Sequence, residues 1–207
     1  MEFIKKNKLF AAGILTVIIA CVSWRCTAIL INVTREDYGF IVADGGRSVS
    51  WDRSSLPVTL YVDPSAQEWL EAVDRAAEQW NAIVGQRVFN VVSASGFDRS
   101  ECRSTGTISD PAVFVRQSLN DPSGEGGRAK LHWNSKFNIR CVDLVLARNA
   151  PKELWDKIVA HEFGHILGLA HDKMENSIMY YGGRALRWGM DAVTEKDKQL
   201  LRTTYGQ

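Results

Sequence analysis

The chain has 207 residues, 45% of them hydrophobic and 24% charged, with 25 basic and 24 acidic residues for a formal net charge of +1. That length suits one domain with a proper core. The balanced charge excludes a nucleic-acid footprint and any broad field that would steer a charged partner.

Lys5, Lys6 and Lys8 precede an apolar run from Leu9 to Val22. The run is shorter than the roughly 20 residues that cross a bilayer and fits the apolar core of a secretory signal. Ile18-Ile19-Ala20-Cys21 is similar to the lipobox of bacterial lipoprotein signals, which makes Cys21 a lipidation candidate. A short signal anchor ending near Trp24 and a cleaved, soluble form are the alternatives. All three place the rest of the chain outside the cytoplasm, secreted or held at a membrane by its N-terminus. Residues 1–24 are therefore assigned to targeting. Residues 25–50 form an expected tether, with Asp44-Gly45-Gly46 and Ser48 showing no strand or helix period, and residues 51–207 form one domain. In an oxidising compartment Cys102 and Cys141 are the natural disulfide pair.

Within the domain, Val58 to Val62 is a short β-rich run. Asp63-Pro64-Ser65 opens a helix, with Ser65 and Glu68 spaced as a capping box. Trp69, Leu70, Val73, Ala76, Ala77, Trp80, Ile83 and Val84 follow helical spacing until Gly85 ends it. Strands are expected at Val88–Val92, Ala112–Gln117, Arg128–Trp133 and Cys141–Ala147. Between them, 93–110 is polar and irregular, and 121–127 is a Gly-rich loop. Pro151 begins a helix that runs into His161 and His165. A final helix starts at Thr194, boxed with Asp197, and ends at Tyr205.

The most informative stretch is His161-Glu162-Phe163-Gly164-His165-Ile166-Leu167-Gly168-Leu169-Ala170-His171-Asp172. Histidines four apart lie on one face of a helix and can grip one zinc ion, with Glu162 between them as general base. Gly168 permits the chain to reverse, so that His171 returns as a third ligand. Three protein ligands leave a fourth position for water, the pattern of a catalytic zinc site. Met179 follows His171 by eight residues, and the extended motif with such a Met-turn is the metzincin pattern.

The segment resembles the matrixin branch of the metzincins, and the order of strands and helices resembles its catalytic domain over about residues 51–206. The resemblance implies an α+β fold: a twisted five-stranded mixed sheet, three helices, and a zinc cleft between N- and C-terminal subdomains. It implies a zinc-dependent endopeptidase with Glu162 as base and Met179 as an apolar floor under His161, His165 and His171. Gly126 to Trp133 is similar to the matrixin edge strand that pairs with an extended peptide, so Ala129 and Leu131 are expected to offer backbone groups to substrate. Asp172 is more like the adamalysin branch. Tyr181 stands where astacin-like and serralysin-like enzymes carry a tyrosine, which makes it a candidate auxiliary group at the zinc or, equally, a packing residue.

One catalytic zinc is expected. His132 is read as a half-buried strand residue, because the four histidines cannot also furnish a second site. Asp121 and Glu125 are weak candidates for calcium. Cys26 lacks the surroundings of a matrixin cysteine switch. Arg184, Arg187 and Trp188 lie in the stretch expected to wall the specificity pocket. A monomer acting on peptide or protein is expected. The alternative is a surface-anchored, zinc-containing module that binds peptide without cutting it.

Overall fold

The structure is a computed structural model that describes residues 39–43, 46–93, 102, 111–118, 126–180 and 192–206. Its strands are β1 (Val42–Ala43), β2 (Arg47–Ser48), β3 (Val58–Val62), β4 (Phe89–Ser93), β5 (Ala112–Ser118), β6 (Gly127–Trp133) and β7 (Ile139–Ala147). Among the described residues there are three α-helices, α1 (Leu70–Val84), α2 (Trp155–Ile166) and α3 (Glu195–Tyr205).

Strands β3 to β7 form one sheet in the order β4-β3-β5-β7-β6. The first three pairings are parallel, and β6 joins β7 antiparallel at the edge. The fold is therefore α+β on a mixed five-stranded sheet. In β3 the residues alternate, with Val58, Leu60 and Val62 buried, the period-2 pattern of a strand with one face in the core. In β7, Val142, Leu144 and Leu146 join the main core. Cys141 packs instead with Cys102, Ala112 and Phe114 in a satellite cluster. A disulfide joins Cys102 to Cys141, with Cα atoms 5.7 Å apart.

Parallel β3 and β4 need a crossover, and α1 supplies it. Its buried residues Ala72, Val73, Ala76, Ala77, Trp80, Ile83 and Val84 make one stripe, spaced as a core-facing helix requires. The start differs from the capping box expected at Ser65 and Glu68. Asp63 is the cap, accepting from Ser65 N–H at 2.8 Å, and Pro64 to Trp69 form a 3-10 turn before α1. Ser65 Oγ and Glu68 are turned toward β5, where they accept from the backbone and side-chain amides of Gln117. Gly85 closes α1 at φ +85°, a left-handed conformation that glycine adopts without strain. At α3 Thr194 caps as expected, with Asp197 N–H donating to Thr194 Oγ1, and the return bond runs from the Thr194 hydroxyl to the Asp197 carboxylate.

Helix α2 is held to α1 and β4 by aromatic side chains. Trp155 stacks on Trp69 at 4.0 Å between ring centroids, Phe163 meets Phe89 edge-on, and Trp80 Nε1 donates to Ala160 O at 3.0 Å.

The described part of the expected tether is built into the domain. Ile41 N–H donates to Gly168 O at 2.6 Å, and Ala170 N–H donates to Gly39 O at 2.8 Å, so residues 39–41 lie as a strap along the chain that follows α2. Val49 is fully buried, and Ile139 N–H donates to Ser50 O at the start of β7. Residues 1–38, with Cys21 and Cys26, lie outside the described residues. No described helix is long and apolar enough to cross a membrane.

The disulfide closes a loop with a sequence separation of 39 residues, which restricts the unfolded chain more than the folded one. Replacing both Cys102 and Cys141 by Ser should lower the unfolding free energy by about 2–4 kcal/mol. The check is a shift of the denaturant midpoint relative to the oxidised wild type, and an unshifted midpoint would remove the clamp from this account.

Candidate metal centre

The site is made where α2 stops. The last carbonyls of a helix have no partner within it, and here each one is taken. Leu169 N–H donates to Gly164 O and Gly168 N–H to His165 O, the paired bonds of a Schellman reversal. Trp51 Nε1 donates to Ile166 O at 2.7 Å, and the Tyr205 hydroxyl donates to Leu167 O at 2.8 Å. Gly168 has φ +90°, and a Cβ there would lie 2.4 Å from Val49 O. The turn therefore needs glycine for its conformation and for space.

That reversal brings His171 back over the helix. His165 Nε2 lies 3.1 Å from His161 Nε2 and 3.1 Å from His171 Nε2. The other ring nitrogens of His161 and His165 are committed. His161 Nδ1 lies 2.6 Å from Ile178 O, and His165 Nδ1 lies 2.8 Å from Leu169 O. A carbonyl can only accept, so each Nδ1 carries the proton and donates it. Each Nε2 of that pair is left as a bare lone pair facing its neighbour. Burial first, then the adjacent His161 and His171, holds the His165 imidazole well below its ordinary pKa and so neutral.

Bare nitrogens this close repel unless a cation shares them. A tetrahedral zinc with bonds of about 2.0–2.1 Å sets its ligands about 3.4 Å apart. The three ring nitrogens, all within 4.8 Å of one another, therefore fit zinc. Backbone carbonyls on the outer nitrogens are the usual means of fixing such a ring and its tautomer. Among the described residues, this triad is the one cluster of metal-ligating side chains.

Met179 is fully buried. A Cβ on Gly164 would lie 2.2 Å from its sulfur, so the thioether occupies the space that a glycine leaves on the underside of α2. The turn around it reaches two ligand segments at once. Ile178 O holds His161, and Met179 O accepts from Asp172 N–H at 2.7 Å, one residue past His171. Asp172 is itself buried, and its carboxylate accepts from Met174 N–H.

Glu162 is 5% exposed, and its Oε2 accepts from Ala129 N–H on β6 at 2.7 Å. His132 is half-buried on β6, opposite Cys141. Tyr181, Asp121, Glu125, Arg184, Arg187 and Trp188 lie outside the described residues. The sequence reading missed Trp51, Tyr205, Ile178 O and Leu169 O. Only the two aromatic residues left any signal, as apolar side chains at the two ends of the domain.

A family model described as Matrixin (Peptidase_M10) matches residues 59–206. The metalloendoproteinase 2-MMP of Arabidopsis thaliana is 26% identical over 171 residues, covering 75% of this chain and 43% of its own length. The chain thus spans less than half of that curated relative. Two solved structures are also similar. An archaemetzincin from Methanopyrus kandleri has a TM-score of 0.47 at 17% identity, covering 74% of this chain and 97% of its own. A zinc-dependent peptidase from Methanocorpusculum labreanum has a TM-score of 0.41 at 16% identity, covering 70% of this chain and 99% of its own.

Gly164→Ala drives a methyl group into the Met179 sulfur, and such overpacking costs about 1–3 kcal/mol. The variant should melt earlier, and adding Met179→Ala should restore part of the loss. A Gly164→Ala chain as stable as the wild type would place the sulfur elsewhere.

Proposed function

The chain belongs to the matrixin family of zinc-dependent metallopeptidases, and on that premise we propose that it is an endopeptidase in which His161, His165 and His171 hold one zinc and Glu162 is the general base. The observation that carries the reading is the convergence of three Nε2 atoms, with Glu162 buried next in sequence to His161. When bound, zinc supplies Lewis acidity, which acidifies water and polarises a peptide carbonyl.

The residues of the chain divide the remaining work. Ile178 O and Leu169 O keep His161 and His165 in the tautomer that presents Nε2. Glu162 takes the proton of the attacking water and delivers it to the leaving amine. Met179 keeps the floor beneath the rings apolar and rigid. Strand β6, paired on one side only among the described strands, is the edge on which an extended peptide adds as a further strand.

We also place the domain outside the cytoplasm, secreted or held at a membrane through the targeting segment of residues 1–24, and acting as a monomer on peptide or protein. The Lys-flanked apolar run and the Cys102–Cys141 disulfide support that placement, since disulfides persist in oxidising compartments. Cys21 is the proposed lipidation point.

The test is digestion of a peptide library by the purified chain with and without a chelator, with zinc measured on the same sample. The wild type should cut internal peptide bonds in a chelator-sensitive way. Glu162→Gln should still bind one zinc per chain and lose about 10²- to 10⁴-fold in cleavage. Equal cleavage by the two proteins at equal zinc loading would sink the assignment of the base. Zinc binding and peptide capture without any cleavage by the wild type would favour a binding module.

A further inference from the structure

Residues 134–138 join β6 to β7, and Phe137 sits in that turn at φ +66°. A left-handed conformation is costly for a bulky side chain, and glycine or asparagine would make the same turn with less strain. The turn is held by its backbone. Phe137 N–H donates to Asn134 O at 2.9 Å, and Phe137 O accepts from Ser50 N–H at 3.3 Å. Asn134 Oδ1 accepts from the N–H groups of Lys136 and Asn138. The ring so placed is a platform, with the Arg47 guanidinium carbon 4.0 Å from its centroid. A guanidinium over a ring face can keep N–H groups at its edge for a carboxylate.

Arg47 is exposed, and among the described residues no ion pair holds it. Two more cations stand on the hairpin, Lys136 and Arg140. Both lie near Asp52, whose pKa is lowered first by hydrogen bonds from Ser54 and then by those two charges. The tip therefore carries an excess of positive charge, and Arg47 is the cation without a carboxylate among the described residues. The tip also lies on the cleft side of the sheet. Leu131, Trp133 and Phe137 pack against the core that holds Val159 and Phe163 of α2, whereas Cys141, opposite His132, belongs to the satellite cluster on the other face. The β1–β2 hairpin that carries Arg47 continues the strap bonded to Gly168 and Ala170, which ends one residue short of His171.

We propose that Arg47, propped on the Phe137 ring, is a specificity-determining residue that takes the carboxylate of an Asp or Glu side chain in the substrate. The inference rests on the peptidase reading above and deepens it. Glu162 Oε2 accepts from Ala129 N–H, so the bond to be cut lies near that part of β6. A peptide that continues along β6 past Trp133 comes to the turn, which begins roughly 17 Å from Ala129 at the rise of an extended strand. The acidic side chain thus falls about four to seven residues from the cut bond, on the side that lies over Trp133.

The experiment is cleavage, by the full chain, of a peptide family that shares one cleavable core. Each member carries a single Glu at one position about three to eight residues from the cut bond, on either side, with the Gln peptide as its control. The wild type should prefer Glu over Gln in kcat/KM about 2- to 5-fold within one window on one side, the range of an exposed ion pair. The preference should shrink as salt rises. Arg47→Ala should bring the ratio to about 1, and Arg47→Glu should invert it and favour Lys at the same position. Phe137→Gly keeps a turn that glycine adopts readily but removes the platform, so its ratio should also fall toward 1. Each ratio is internal to one protein, so a variant that folds in part still reads correctly. Wild-type cleavage without an acidic preference would overturn the proposal, as would an Arg47→Ala or Phe137→Gly chain that keeps the full preference. Arg47-dependent binding to vesicles of anionic lipid, with a peptide ratio indifferent to Arg47, would overturn it in favour of a membrane-facing role. Absence of chelator-sensitive cleavage of any peptide by the wild type is a separate failure, which takes down the peptidase reading and this assignment with it.

Discussion

The rest of the molecule depends on the way α2 ends. A helix must do something with its last carbonyls, and leaving them buried without partners would cost about 1–3 kcal/mol each. Here the reversal at Gly168 takes two of them, and Trp51 and Tyr205 take the next two. Satisfying those carbonyls also turns the chain back on itself, which is what delivers His171 to His161 and His165. The strap at residues 39–41 then pairs with the returning strand of chain. The metal centre is thus a by-product of closing a helix inside a core.

Glycine sets how closely α2 lies to its neighbours. On one side Gly164 admits the Met179 sulfur, and on the other Gly127 admits the side chain of Glu162. A methyl group at either position would collide with the atom it faces. His161, Glu162 and His165 sit on one helix, clamped between a sulfur and a sheet edge through two absent side chains. Precision at such a site comes from packing that leaves few alternatives, since cores are as dense as organic crystals.

Much of this was legible in the sequence, for a physical reason. Ligand spacing on a helix is a local property, so His161, Glu162, His165 and the Gly168 turn could be read together. Short β-rich runs located β3 and β5 almost to the residue, and helical spacing located α1. The start of α1 was misjudged because Ser65 and Glu68 satisfy a local pattern, while the long-range partner Gln117 claims both side chains. The expected tether lacked periodicity because β1 and β2 are two residues long and the strap bonds through its backbone. The groups that orient His161 and His165 are carbonyls of Ile178 and Leu169, and any side chain could stand at those positions. Only the folded chain reveals them.

Trp51 and Tyr205 meet through a hydrogen bond from Trp51 N–H to the phenol oxygen, 154 positions apart. Both ends of the domain must therefore have docked before the last turn of α2 has its partners. Pairings of such sequence separation form late, because loop closure must be met before the contact contributes. The three-histidine centre therefore has its full set of partners only when both ends of the domain have docked. A metal held by the finished site would in turn hold the two ends together, since a ligand that binds only the folded state draws the equilibrium toward it.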